Sequence, residues 1–305
     1  MRAAFSRALA QAAARDERVL LLTGDHGYAL FDEFRKLCPG QYINAGVAEQ
    51  NMVGVAAGLA KAGFRPVVYG LSAFVPVRVL EQIKIDVCYE QLPVTFIGDG
   101  AGLVYSTLGT SHQSFEDIAC LRAVPHIDIL SPGDAGEMSA AMDFALGHDG
   151  PVYLRMGKAD LGAVHEGVPA LRRGEVIAVR PGRHPVGFIA TGSMLKTALA
   201  IAEKIDAPVW SAPWIKPLDE TALAQAVDNC RALVSFEEHS AAAGLGSALL
   251  EALALGHPRP LLRIGIGERF SATCGSHAHA LREHGLDLDS VQTRVLPFAA
   301  QWGSA

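Results

Sequence analysis

Glu49 stands in the run Asn44-Ala45-Gly46-Val47-Ala48-Glu49-Gln50-Asn51-Met52, a carboxylate among small and apolar residues at the head of a helix-like stretch, Met52 to Ala60. A carboxylate buried there without a cation is disfavoured in its charged form, which raises its pKa. No Lys or Arg follows until Lys61, so an ordinary ion pair along the helix is not expected. Such a group suits holding a proton near neutrality. The plainer reading is an acid in the first helical turn, facing the helix dipole.

His112 is the second group fit for proton chemistry. It lies in Gly109-Thr110-Ser111-His112-Gln113, followed by Glu116-Asp117, which is not a core-like setting. Its ordinary pKa suits proton transfer or hydroxyl binding near neutral pH. Phe74 and Arg78 follow the strand-like Pro66–Tyr69. On its own a ring in that place packs inward, and Arg78 serves equally well as a surface helix residue. Asp25 and His26, in Gly24-Asp25-His26-Gly27-Tyr28, follow the first strand at the end where α/β sites form; a plain turn is the alternative. The glycine-rich Ile97–Tyr105 has no clean G-x-G-x-x-G entering a helix, so it reads as a loop shaping a channel and not as a dinucleotide site.

The elements that must hold these residues alternate. Val19–Thr23, Pro66–Tyr69, Val94–Ile97, Ile127–Leu130 and Val152–Arg155 read as strands, with helical stretches between them, one of them around Val77 to Tyr89. Continuous apolar strands between helices imply a parallel sheet covered on both faces. From Met156 to Arg173 the periodicity fades among Gly157, Gly162, Gly167 and Pro169. A second set follows: strands at Val176–Val179, Val186–Ala190, Val209-Trp210, Leu233–Phe236 and Leu262–Ile264, and helices near Leu195–Lys204, Glu220–Val227, Leu245–Leu253 and His277–His284. The expected fold class is α/β, as two doubly wound parallel-sheet domains over 1–158 and 174–305, joined by a linker at 159–173.

Bulk properties exclude several classes. The 305 residues allow two domains and a sizeable core. Half the residues are apolar, 19% are charged, the net charge is -6 and no basic run occurs, so no electrostatic footprint for nucleic acid is present. Cys38, Cys88, Cys120, Cys230 and Cys274 are scattered without CxxC spacing, which predicts reduced thiols and a cytoplasmic protein. No apolar run is long and uncharged enough for a bilayer. Phe5, Ala8, Leu9, Ala12 and Ala13 recur at helical spacing, so the N-terminus reads as a folded helix and not as a transit peptide.

The words G-V-A-E-Q-N-M and G-V-A-A-G-L-A, over 46–52 and 54–60, resemble the pyrimidine-binding domain of transketolase-like thiamine diphosphate enzymes. The second half, with E-E-H at 237–239 and G-x-G-S at 244–247, is similar to the transketolase C-terminal domain. The resemblance implies that Glu49 hydrogen-bonds the cofactor's pyrimidine N1′ and that Phe74 stacks on the aminopyrimidine. It implies Asp25 and Arg78 near the cofactor, and His112, His26 and Arg155 on the substrate side. The family's acidic pair before the G-x-T-H motif is replaced by Thr107 and Leu108. Two of its phosphate contacts fall on Gly98 and near Ala29, and only Arg155 matches a phosphate contact. This puts ordinary pentose-phosphate substrates in doubt. It points to a ketose or related donor whose phosphate is absent or held differently.

The family's diphosphate-binding domain carries G-D-G…N-N. Here Gly98-Asp99-Gly100 has no Asn-Asn pair after it. The chain is therefore read as the C-terminal subunit of a split enzyme. Its partner would be an N-terminal transketolase-like subunit, in an α2β2 heterotetramer, with Mg2+ held by that partner and no metal ligands here. The expected reaction is transfer of a two-carbon ketol unit between sugar-like substrates. The alternatives are a 2-oxo acid dehydrogenase β-subunit, a pyruvate-decarboxylating carboligase or synthase, and a non-catalytic structural partner. The E-E-H word reads as structural, and His277, His279 and His284 as a solvated helix face.

Overall fold

The computed structural model describes residues 1–157 and 162–303. The expected end of the first unit at Lys158 and the first linker residues, 159–161, lie outside the described residues.

The first sheet holds β1 (Val19–Thr23), β2 (Tyr42–Asn44), β3 (Arg65–Leu71), β4 (Thr95–Asp99), β5 (Asp128–Leu130) and β6 (Val152–Met156). The second holds β7 (Ile177–Arg180), β8 (Val186–Ala190), β9 (Val209–Ser211), β11 (Ala232–Ser240) and β12 (Leu261–Ile266), while β10 (Trp214–Lys216) departs from this division. The strand order is β10-β5-β6-β4-β3-β1-β2 in the first sheet and β12-β11-β8-β9-β7 in the second. The α/β class and the two parallel-dominant sheets agree with the sequence. Two edges differ: β10 pairs antiparallel with β5, and β7 pairs antiparallel with β9. The short strands β2 and β10 were not legible as alternating or β-branched runs.

Period-two alternation explains why the first sheet is buried on both faces. Leu20, Leu22, Val68 and Phe96 point to one core, with Met52, Val53 and Ala56 of the helix Glu49–Lys61. Val19, Leu21, Val67, Tyr69 and Ile97 point to the other, with Phe5 and Leu9 of the N-terminal helix Arg2–Arg15. Each such Leu, Val, Ile, Phe or Met side chain contributes about 1.5–3 kcal/mol on burial. The first core runs on without a break into Ile189, Leu233, Leu245 and Leu249 of the second half. No helix among the described residues is long and apolar enough to cross a membrane.

The described part of the linker is pinned to the first domain. Backbone N–H groups of Val164 and His165 donate to Asp134 Oδ2 at 2.8 and 2.9 Å. His165 Nε2 lies 2.8 Å from Glu137 Oε1, and Arg173 grips Asp128 through two bonds of 2.7 Å. Glycine and proline mark the loss of periodicity here, but side-chain acids fix the path.

Candidate functional site

The sequence candidates gather at the carboxyl ends of β1, β2, β3 and β4, where the strand order reverses and α/β clefts form. Arg155 is the exception: it lies within β6.

Glu49 opens its helix after Ala48, which has no side-chain cap to offer, and the residue is only 6% exposed. As expected, its own helix supplies no ion pair, but the carboxylate does have a cation. Arg78 Nη1 lies 3.3 Å from Glu49 Oε1. The cation comes from the turn after β3, 29 residues downstream, and not from the helix itself. The same guanidinium lies 4.0 Å from the centre of the Phe74 ring. Phe74 in turn meets His112 edge-on, with centroids 5.3 Å apart. Glu49, Arg78, Phe74 and His112 thus form one continuous string of contacts. Phe74 and His112 are half-buried, Arg78 is exposed, and exposed Val47 and Leu108 lie beside them in sequence.

Local backbone chemistry builds this string. Gly70 permits the turn after β3: a Cβ there would come within 2.6 Å of Val75 Cγ2. Gly109, at φ 78°, turns the chain so that its carbonyl accepts from the His112 N–H at 3.0 Å. Ser111 Oγ lies 2.9 Å from His112 Nδ1.

Asp25 adopts φ 63°, a left-handed conformation that Asp tolerates. It accepts from Asn44 Nδ2 at 3.1 Å, while Asn44 Oδ1 accepts from the Gly46 N–H at 2.9 Å. Asp25 therefore holds the turn that leads to Glu49. His26 Nδ1 lies 2.8 Å from the Gly24 carbonyl and the ring tilts against Tyr69, while its buried Nε2 has no hydrogen-bond partner among the described residues.

Arg155 is 5% exposed and turned into the protein. Its Nε donates to Asp117 Oδ2 at 2.8 Å, and its Nη2 donates to the carbonyls of Ser114 and Glu238 at 3.2 and 2.9 Å. Tyr153 OH donates to the same Asp117 oxygen at 2.8 Å. Asp99, in the Gly98-Asp99-Gly100 word, is also enclosed. Its Oδ2 accepts from Tyr69 at 2.8 Å and Tyr105 at 3.1 Å, and pairs with Arg2 at 3.2 Å. Burial first, then the Asp99 charge, pushes the Tyr105 hydroxyl up to about 12, and the Tyr69 hydroxyl higher still, so both stay protonated donors. Sequence reasoning missed this group, because Arg2, Tyr69 and Asp99 come from three distant segments.

The E-E-H word has the structural role expected of it. Glu237 Oε2 accepts from the Leu245 N–H at 2.6 Å and Oε1 from the Gly246 N–H at 3.1 Å, at the start of the helix Leu245–Leu253. The solvated helix face expected of His277 and His284 is corrected: His284 is buried, and His277 Nε2 lies 2.9 Å from Glu238 Oε1. The acid sits 39 residues away, on β11. His277 is held above its ordinary value by Glu238 against the opposing effect of burial, which is the larger single influence. Glu238 is held low by His277, Ser193 and the Leu103 N–H, again against burial.

Residues 1–163 match the family model described as transketolase, pyrimidine binding domain, and residues 174–291 match transketolase, C-terminal domain. The chain is 34% identical over 264 residues to one subunit of the apulose-4-phosphate transketolase of Actinobacillus succinogenes, covering 85% of each chain. It is 34% identical over 268 residues to a 6-deoxy-6-sulfo-D-fructose transketolase subunit of a Clostridium species, covering 86% of this chain and 83% of that one. It is 38% identical over 301 residues to 1-deoxy-D-xylulose-5-phosphate synthase of Leptothrix cholodnii, spanning 95% of this chain but 46% of the synthase. Among solved structures it is similar to one titled split gene transketolase, inactive beta4 tetramer, with a TM-score of 0.90, 30% identity and 99% of both chains covered.

Proposed function

This chain belongs to the transketolase family, and from that membership we propose that it is the cofactor-activating half of a split ketol-transferring enzyme. The family implies thiamine diphosphate. The observation that carries the proposal is the string from Glu49 through Arg78 and Phe74 to His112. An aminopyrimidine needs a hydrogen-bonding carboxyl group beside a flat apolar surface, and a buried Glu49 next to a half-buried Phe74 fits that need. When bound, the cofactor would supply a carbanion-type nucleophile that adds to a ketose carbonyl.

The chain's own residues divide the remaining work. Glu49 holds or shares a proton at the pyrimidine N1′. Phe74 supplies a stacking face, and Arg78 holds both the Glu49 carboxylate and the ring in register. His112, half-buried at the end of the string, orients a substrate hydroxyl or carbonyl. Asp25 holds the turn before Glu49 at the cofactor's edge, and His26, with a free buried Nε2, faces the substrate side. Arg155, committed to Asp117, supports the substrate loop and acts on a substrate phosphate only through that loop.

Asp99 is fully buried and its Oδ2 is engaged by Arg2, Tyr69 and Tyr105, so this carboxylate is not presented at the surface to a metal ion. This supports Mg2+ and the diphosphate being held by an N-terminal partner subunit, in an α2β2 assembly. The similar solved chain is titled an inactive beta4 tetramer, which agrees with the same division. All five cysteines are free, in keeping with a reducing cytoplasm.

The donor is proposed to be a ketose whose anionic group is held differently from that of ordinary pentose phosphates, since Arg155 is turned inward. A second reading, a pyruvate-decarboxylating synthase, is favoured by the 38% identity over 301 residues to the deoxyxylulose-phosphate synthase. Co-purification with the partner subunit, followed by a donor screen read by product mass, separates the two. Glycolaldehyde-unit transfer supports the ketol reading; carbon dioxide release from pyruvate replaces it with the second. Efficient turnover of xylulose 5-phosphate with ribose 5-phosphate would defeat the unusual-donor proposal.

A further inference from the structure

The loop that carries His112 is closed at its base by an antiparallel bridge between Gly102 and Ser114, with N–H to carbonyl distances of 3.2 and 3.0 Å. It is then gripped from the C-terminal domain. Glu238 Oε1 accepts from the Leu103 N–H at 2.9 Å, and the Glu238 carbonyl shares Arg155 Nη2 with the Ser114 carbonyl. Farther along, the Ser106 carbonyl accepts from the Gly275 N–H at 3.1 Å. Gly275 leads directly into the helix His277–Glu283, whose first residue bonds Glu238. Base and turn are thus held at two points that the His277–Glu238 bond joins.

The hold reaches His112 through short steps. Ser106 Oγ bonds the Leu103 carbonyl, and Gln113 Nε2 donates to Ser106 Oγ at 2.9 Å. Gln113 is the residue after His112. Gly102 leaves room for the grip: at φ 67°, a Cβ would come within 2.6 Å of the Glu238 carbonyl and 2.7 Å of its Oε1. An ionised carboxylate with 2% of its side chain exposed is costly unless donors surround it. Among the described residues Glu238 has three: Leu103 N–H, His277 Nε2 and Ser193 Oγ. The first ties it to the loop, and the other two hold the carboxylate in place from its own domain.

We propose, building on the assignment of His112 to the substrate side, that Glu238 is a positioning residue for the His112 loop. The C-terminal domain then shapes the substrate side of a site whose reacting groups lie in the first domain. A charge-assisted bond to the loop N–H, held by His277, does this better than packing alone, because it fixes direction as well as distance.

Hydrogen exchange on the full chain tests this without turnover, so it is independent of the functional reading beneath it. In Glu238→Gln, amides of Leu103–Gln113 are expected to exchange about tenfold faster or more, with the helix Glu49–Lys61 unchanged. His277→Gln, a milder change at a part-exposed residue, should give the same pattern with a smaller increase. With the partner subunit, Glu238→Gln should raise the substrate KM several-fold and leave the affinity for thiamine diphosphate unchanged. Unchanged exchange in 103–113 in both variants overturns the proposal. So does faster exchange confined to the helix His277–Glu283, which would make the contact a brace for that helix alone.

Discussion

Two strings of charged and aromatic side chains cross this molecule, and they are built to different standards. The first, Glu49–Arg78–Phe74–His112, lies on the rim of the first sheet with contacts of 3.3, 4.0 and 5.3 Å, and its cation is 48% exposed. The second, Asp117–Arg155–Glu238–His277, lies between the domains with bonds of 2.8 to 2.9 Å, the arginine meeting Glu238 at its main-chain carbonyl, and its two acids and arginine have no more than 5% of their side chains exposed. Buried ions need close partners, because unpaired charge there costs several kcal/mol; Asp117 Oδ2 accepts from both Arg155 and Tyr153, while its buried Oδ1 has no partner among the described residues. Groups on the rim are paired loosely, so an incoming ring or hydroxyl can replace part of the contact without breaking a buried bond. The difference separates the string proposed to react from the string proposed to hold it.

The contrast can be broken in three places. Glu49→Gln, assayed with the partner subunit, should lower turnover by about 10²–10⁴-fold while melting with the wild type. A full-activity variant would remove Glu49 from the reacting string. Asp117→Asn should do the reverse: it leaves Arg155 as a buried charge without its partner and costs about 3–5 kcal/mol of stability, read as a lower midpoint in urea. An unchanged midpoint would show that the buried string is not what holds the domains. The smallest effect concerns pH. Glu238 raises the His277 pKa above its ordinary 6.5, so the stability from this pair is complete below that value. It is lost as pH rises through the folded pKa. The difference in melting temperature between wild type and His277→Gln should therefore be largest in mildly acidic buffer and shrink as pH rises. A difference that grew with pH would contradict the pairing.

The rim string was more legible in the sequence than the buried one. Glu49 and His112 sit in words whose composition is odd for a core, a carboxylate among small and apolar residues and a histidine after Gly-Thr-Ser, while Phe74 was singled out only by the family resemblance. All strands but β2 and β10, and most helices, followed from the sequence pattern, the helix Leu245–Leu253 to the residue. What escaped were pairings across long stretches of chain. Arg78 reaches Glu49 over 29 residues, His277 reaches Glu238 over 39, and Leu103 reaches Glu238 over 135. Local pattern carries no signal for these, because nothing near Arg78, His277 or the Leu103 backbone N–H in sequence identifies the distant acid that each one meets. Arg155 shows the converse. Its word matched a substrate contact, yet Asp117, from the same stretch as His112, claims the guanidinium.

The antiparallel strand β10 bears on how the chain is made. Synthesis proceeds from the N-terminus, and domains begin to fold as they emerge. The first sheet has all six of its parallel strands once Met156 has left the ribosome, but β5 stays an open edge until Trp214–Lys216 arrives to cover it. During that interval the nascent chain presents unpaired backbone groups of the kind that recruit other strands. Severing the chain between the two sheets would make the interval permanent, so the second half acts on the first as a guard against strand-to-strand aggregation as well as a neighbour.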